Sequence, residues 1–299
     1  MFQSHYQRGT TKNFIVLLLF FTLGFSGCSS TRLEPLSFDN QTLQDYGFQE
    51  ISTTLPLKIF NKEVPFVSKM HPRIYIESDG ANWLLNTFQP SSPTPNRAFS
   101  ASLAAKDTNS SVSYISRPCQ FVNSEQSLQC PTILWGKARF GPKAISIVDA
   151  AINVLKQEMG SSLSSKIELI GYSGGGVMAT LLAAKRNDVS CLVTIAAPLD
   201  LDAWTNFHHV APLDQSIRLT QLSAIELNQL QNTQQFHFYG TEDRNTPFQS
   251  VSRIQNLLGK KAQWLQILGF DHQNHWISAW SELINTTCLA SSAKSMQQN

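Results

Sequence analysis

The stretch from Lys166 to Lys185 constrains this chain more than any other. Ile167-Glu168-Leu169-Ile170 reads as a short apolar strand, and Gly171-Tyr172-Ser173-Gly174-Gly175 follows it without a spacer. Residues 175–185 are then small and apolar, as in a buried helix. A chain that turns from strand to helix over five residues needs small neighbours, because the backbones approach closely. Such a turn also holds its middle side chain at an exposed apex. The Ser173 hydroxyl would stand at a helix N-terminus, where the dipole favours developing negative charge. A structural serine in a Gly-rich turn is the plainer alternative.

The surrounding pattern supplies the context. Strand-like runs occur at Leu55–Phe60, Arg73–Glu77, Val112–Ile115, Cys191–Ile195, Phe236–Tyr239 and Gln263–Leu268, most of them ending in turn residues. Helical stretches lie between them. Residues 142–158 carry Ala144, Ile147, Val148, Ala151, Ile152 and Leu155 at spacings of three and four, and residues 251–258 and 276–284 repeat the pattern. This alternation predicts a mostly parallel sheet covered by helices on both faces. Residues 200–235 carry no clear strand and read as a cap-like insertion of short helices. In such sheets the chemistry collects at the carboxyl ends of the strands.

A serine hydroxyl is a poor nucleophile until a base takes its proton, and the base needs an acid to orient it. Behind a strand–turn–helix serine the acid and then the histidine follow in the chain. Asp243 is the acid candidate, one turn after Phe236–Tyr239; Glu242 is its adjacent alternative, and Asp200 and Asp202 follow the preceding strand. The base candidates, His272 and His275, both follow the last strand, and His272 is preferred as the one nearer the strand end. His237 falls inside a strand, and His208-His209 lack a third ligand of matching spacing, so no metal is expected. An oxyanion needs two backbone N–H donors. Gly174 is one candidate, and Ala81, in the turn Ser78-Asp79-Gly80-Ala81, is the other.

The N-terminus carries a different message. Arg8 and Lys12 precede an apolar run from Phe14 to Gly27. That run is shorter than the roughly 20 residues a membrane-spanning helix needs, and it reads as an export signal. Phe25-Ser26-Gly27-Cys28 resembles a bacterial lipobox, apart from Phe25 where an aliphatic residue is usual. On that reading residues 1–27 are removed and Cys28 carries lipid; an ordinary signal peptide or a retained anchor is the alternative. Ser29, by analogy with lipoproteins of Gram-negative bacteria, points to the outer membrane, with the protein facing the periplasm. Residues 28–50 read as a tether, 51–290 as the domain and 291–299 as a flexible tail. The four cysteines beyond Cys28 allow two disulfides in an oxidising compartment. Cys119–Cys130 is the favoured pair, and Cys191–Cys288 stays open. Net charge is +2, and the residues after Gly27 are formally neutral, so nothing in the charge favours nucleic acid.

The blocks Ile74–Gly80, Ser116-Arg117-Pro118-Cys119-Gln120, Gly171–Gly176 and Ala197–Trp204, with Asp271-His272 and Trp276, resemble a family of bacterial exported α/β-hydrolases. The likeness spans about residues 70 to 285 and departs at Asn274-His275, where small or Cys residues are expected. It implies an α/β-hydrolase fold and a triad of Ser173, Asp243 and His272. The expected activity is hydrolysis of an ester-type bond in a small-molecule or lipid-like acyl substrate, without a cofactor. A peptidase or thioesterase on the same triad is the nearest rival, and a non-catalytic binding or envelope-assembly lipoprotein is the more distant one.

Overall fold

The computed structural model describes residues 40–63, 71–80, 90–109, 111–160 and 165–288. By its contacts the chain divides into residues 1–34, outside the described part, and a unit of residues 35–299. The expected signal peptide, Cys28, Ala81 and the C-terminal tail also lie outside the described residues. No described helix is long and apolar enough to cross a membrane.

The strands are β1 (Gln49–Ile51), β2 (Ile59–Glu63), β3 (Arg73–Ile76), β4 (Ser111–Ile115), β5 (Ile167–Tyr172), β6 (Val189–Ile195), β7 (Gln234–Gly240) and β8 (Ala262–Ile267). They form a single sheet in the order β1-β2-β4-β3-β5-β6-β7-β8. β2 runs antiparallel to both β1 and β4, and every later pairing is parallel. The helices are α1 (Asn40–Asp45), α2 (Phe99–Lys106), α3 (Ser124–Ser127), α4 (Pro142–Glu158), α5 (Gly174–Lys185), α6 (Leu201–Phe207), α7 (Ala224–Asn232), α8 (Ser252–Gln255) and α9 (Trp276–Asn285).

Alternation along the strands builds two cores. Ile74, Ile76 and Leu169 face a layer that includes α4 and α5, whereas Tyr75, Ile170 and Tyr172 face the opposite layer with α2 and α9. α5 buries every residue but Lys185, which is why its sequence is apolar all round instead of striped.

Two boundaries differ from those the sequence predicts. The folded unit begins before residue 51: α1 and β1 lie in the supposed tether, and Leu43 and Phe48 are in the core. Short polar stretches hide such anchors because two apolar residues make no period. The cap-like insertion is also shorter than 200–235. α7 packs against α5 as an ordinary crossover helix between β6 and β7, which leaves α6 and the loop to Leu222 as the added segment.

Both cysteine pairs are disulfide-bonded. Cys119–Cys130 has its Cα atoms 5.6 Å apart, and Cys191–Cys288, with Cα atoms 5.9 Å apart, ties β6 to the chain beyond α9. The pairing left open in the sequence is decided by the fold, which brings residues 97 apart together.

His237 in β7 is fully buried and stacks on Trp264. Its Nε2 bonds Gln235 Oε1 at 3.2 Å and its Nδ1 meets Thr194 Oγ1 at 2.8 Å, an arrangement that suits a neutral ring. Burial pushes its pKa down to about 3. The unfolded chain therefore takes up one more proton than the folded one between about pH 6.5 and pH 3. Stability should fall with acidification through that window, by up to about 1.4 kcal/mol per pH unit for this one group. Urea unfolding at a series of pH values should show a shallower acid slope for His237→Gln than for the parent. Equal slopes would exclude His237 as the source.

Candidate active site

Ser173 sits between β5 and α5 with φ 51° and ψ −123°, a strained backbone for a residue with a side chain. The neighbouring glycines explain how the turn closes. A Cβ on Gly171 would collide with the Gly175 carbonyl, and one on Gly174 would collide with the Asp79 carboxylate. Ser173 N–H donates to Ile195 O at 2.8 Å, which fixes the apex against β6. The N–H of Gly174 belongs to the first turn of α5, where backbone donors have no intrahelical acceptor.

His272 lies in the loop after β8. Its Nε2 is 3.2 Å from Ser173 Oγ and its Nδ1 is 2.9 Å from Asp243 Oδ2. Four bonds hold this loop. Tyr172 OH donates to His272 O at 2.8 Å, and Trp276 Nε1 donates to Asp271 O at 2.8 Å. Asp271 Oδ1 accepts the N–H groups of Gln273 and Asn274 at 2.8 and 2.6 Å. Asn274, the departure from the family pattern, thus closes the turn that presents His272. Tyr172 is itself stacked on Phe99 with ring centroids 4.0 Å apart.

Asp243 follows β7 and its side chain is fully buried. Its Oδ1 accepts the N–H groups of Asn245 and Thr246 at 2.8 and 2.7 Å, leaving Oδ2 to face the imidazole. The other acid candidates are engaged elsewhere or lie apart. Asp200 caps α6 and pairs with Arg253 at 2.7 Å, Asp202 pairs with Arg218 at 3.0 Å, and Glu242 is exposed. His275 begins α9 at φ 75° beside Phe270, away from Ser173. His208 bonds Asn245 O at 2.6 Å. Among the described residues no group of three His, Cys, Asp or Glu side chains is placed to hold a metal ion.

Four strand ends thus deliver residues to one place: Asp79 after β3, Ser173 after β5, Asp243 after β7 and His272 after β8. A cavity of about 220 Å³ opens on Ser173 and His272. Pro198, Leu201, Trp204 and Leu213 make an apolar wall, and Ser78, Asp79, Gly80 and Arg139 line it too. Trp204 Nε1 donates to Asn245 O at 3.1 Å, so α6 is clamped to the loop that carries Asp243. Gly80 has φ 68° and abuts Pro93, placing a tight turn at the rim where a second oxyanion donor is expected. Ala81 itself lies outside the described residues.

Sequence reasoning missed the charged group behind this cavity. Arg117 was visible only as part of a block, and Arg139 stands alone before Gly141-Pro142 with no motif to mark it. Neither residue has a periodic or spacing signal; only the fold brings them to Asp79, at 2.6 and 3.5 Å.

Residues 147–286 match the family model described as the prolyl oligopeptidase family. No curated protein sequence matches the chain. Among solved structures, the chain is similar to an alpha-beta serine hydrolase homologue from Coxiella burnetii, with 14% identity and a TM-score of 0.52 over 79% of this chain and 94% of that one. It is also similar to Est1E from Butyrivibrio proteoclasticus with ferulic acid bound, with 12% identity and a TM-score of 0.53 over 80% and 98%. A puromycin-hydrolysing peptidase of Mycobacterium tuberculosis aligns at 10% identity and a TM-score of 0.55, over 80% of this chain and 38% of the other. The protein has the α/β-hydrolase fold.

Proposed function

We propose that this protein hydrolyses an ester-type acyl bond through an acyl-enzyme on Ser173. The observation that carries the reading is the unbroken chain from Ser173 Oγ to His272 at 3.2 Å and on to Asp243 at 2.9 Å, at the mouth of a cavity. His272 Nε2 takes the Ser173 proton as Oγ attacks the carbonyl carbon. Asp243 fixes the tautomer through Nδ1–H and supports the imidazolium that forms. The N–H of Gly174, with that of Ala81 as its partner, receives the oxyanion. His272 then returns the proton to the leaving alcohol, and water deprotonated by His272 releases the acid. The substrate is a small or lipid-like acyl compound. No step calls for a cofactor. Covalent labelling of Ser173 by a fluorophosphonate, with hydrolysis of simple esters, tests the reading. A protein that neither labels nor hydrolyses would be the non-catalytic binding protein instead.

The match to the prolyl oligopeptidase model favours a second reading, a peptidase on the same triad. Peptide amides cleaved faster than the matching esters would select it.

We also propose export and lipid anchoring through Cys28. The basic, then short apolar segment supports this, and so do two disulfides, which belong to oxidising compartments. Labelled palmitate should enter the parent protein and not Cys28→Ala. Equal incorporation would sink the lipoprotein reading.

A further inference from the structure

The segment between β6 and α7, which supplies the apolar wall of the cavity, is tied down along its length. At its start, Asp200 accepts Arg253 Nε and Nη2 at 2.8 and 2.7 Å, and its Oδ1 also accepts the Ala203 N–H at 3.1 Å. Further on, Trp204 Nε1 donates to Asn245 O at 3.1 Å, and His208 Nε2 meets the same carbonyl at 2.6 Å. Arg218 then closes the loop back onto α6. Its Nε donates to Asp202 at 3.0 Å, and its Nη1 donates to the carbonyls of Leu213 and Ser216 at 3.0 and 2.9 Å. Three more bonds join the segment to residues 137–140. Phe140 N–H donates to Ser216 Oγ at 3.2 Å, Ser216 Oγ donates to Lys137 O at 2.7 Å, and Ile217 N–H donates to Phe140 O at 3.1 Å.

Apolar burial points the same way. Leu201, Leu213 and Leu219 are 2–3% exposed and belong to the core on the α4 and α5 side. A segment that swings aside as a lid has few buried apolar contacts. Here, opening would bare three leucines and break the Arg218 and Arg253 bonds together. The wall is therefore a fixed part of the domain.

Trp204 is the wall residue that meets a substrate most directly. It is partly exposed, whereas Leu201 and Leu213 are almost wholly covered. Its indole reaches from α6 to the loop that carries Asp243, and both Trp204 and Asn245 line the cavity. The bond between them closes the cavity on that side. The volume left is about 220 Å³. That is roughly seven water volumes, and a methylene takes up nearly as much room as a water. Pockets for drug-sized ligands begin at about 300 Å³.

We propose that the protein acts on water-soluble esters of short, uncharged acids, with acyl chains of up to about six carbons, and that Trp204 sets this limit. This rests on the hydrolase reading above. The leaving alcohol takes its proton from His272 and departs beside Gln273, at the exposed rim. The acyl chain is left the wall of Pro198, Leu201, Trp204 and Leu213. A charged acid would lose its hydration against that wall. Each methylene that fits gains burial, and the first that does not must displace a pinned side chain.

The test is a series of p-nitrophenyl esters of the full chain's reaction, acetate, butyrate, hexanoate and decanoate, each below its solubility limit. The parent's kcat/KM should rise about tenfold from acetate to butyrate or hexanoate. It should fall about tenfold or more at decanoate. With tributyrin, the rate should pass through the solubility limit without a jump, because the fixed wall has no open state for an interface to favour. Trp204→Ala should raise the decanoate-to-butyrate ratio of kcat/KM by about tenfold or more. Trp204→Phe, which keeps a ring and loses the bond to Asn245, should raise it less. A mere loss of stability would lower all four esters together and leave the ratio where it was. Fluorophosphonate labelling of Ser173 reports an intact triad in each variant. Should the alanine variant not fold, the phenylalanine variant and the parent's own profile decide. A parent that prefers decanoate, or a rate that jumps at the tributyrin interface, overturns the short-acyl pocket and leaves the hydrolase standing. An unmoved ratio in labelled Trp204→Ala overturns Trp204 as the limit. Absence of both labelling and hydrolysis overturns the hydrolase reading itself.

Discussion

Ser173→Ala and His272→Ala should each lower ester hydrolysis by about 10⁶-fold in kcat, since members of such a triad act as a unit and either loss costs nearly the whole. The double variant should be little worse than either single one. The geometry sets a sharper expectation for the second histidine. His275 begins α9 beside Phe270, at the opposite end of the turn from the imidazole that meets Ser173 Oγ. His275→Ala should therefore hydrolyse esters within a few-fold of the parent. Steady-state kinetics with a chromogenic ester, together with fluorophosphonate labelling, checks all three variants. Activity that survives in His272→Ala and vanishes in His275→Ala would reverse the assignment of the base.

The second large effect is on stability, at the end of the sheet away from the cavity. Arg73 and Glu168 are register partners on β3 and β5, and both are buried. Arg73 Nε donates to Glu168 at 2.9 Å and Nη1 to Asp107 at 2.9 Å. Asp107 also accepts from Tyr75 OH at 2.5 Å and from Asn109 N–H at 2.8 Å, and Trp280 Nε1 donates to Tyr75 OH at 2.8 Å. The carboxylate thus joins α2, β3 and α9 in one network. Asp107→Ala would leave a buried guanidinium half-paired and a buried phenol without its acceptor. The expected cost is about 3–5 kcal/mol, read as a loss in urea unfolding free energy. A change below about 1 kcal/mol would mean that water or a repacked side chain replaces the carboxylate.

Much of the fold was legible because its signals are local. The strand Ile167–Ile170, the small residues around Ser173 and the apolar period of residues 142–158 each satisfy one element's own geometry, and the sheet and α4 lie where those patterns put them. Elements that draw their stability from elsewhere were hidden. α1 and β1 depend on Leu43 and Phe48 reaching a distant core, and a polar stretch with two such residues has no period to find. α7 reads as part of the insertion because residues 200–235 carry no clear strand; its place against α5 comes from a few residues such as Leu230.

The site divides in the same way. Chain order and strand ends point to Ser173, to Asp243 and to a base at His272 or His275, since an α/β sheet brings consecutive strand ends to one edge. Those rules could not separate His272 from His275, three residues apart. Tyr172, Asp271 and Trp276 do so by fixing the loop from two sides. The cysteines follow suit: a separation of 11 residues suggested Cys119–Cys130, whereas Cys191–Cys288 needed the sheet to bring its ends together.

By itself the sequence determined the layered α/β architecture and a serine at a strand–helix turn, because both are written in short-range pattern and steric demand. Only the tertiary structure decided which histidine faces Ser173 and which segment caps the cavity. It alone set Arg117 and Arg139 against the one carboxylate of Asp79, because pairing and burial are properties of neighbours that lie far apart in the chain.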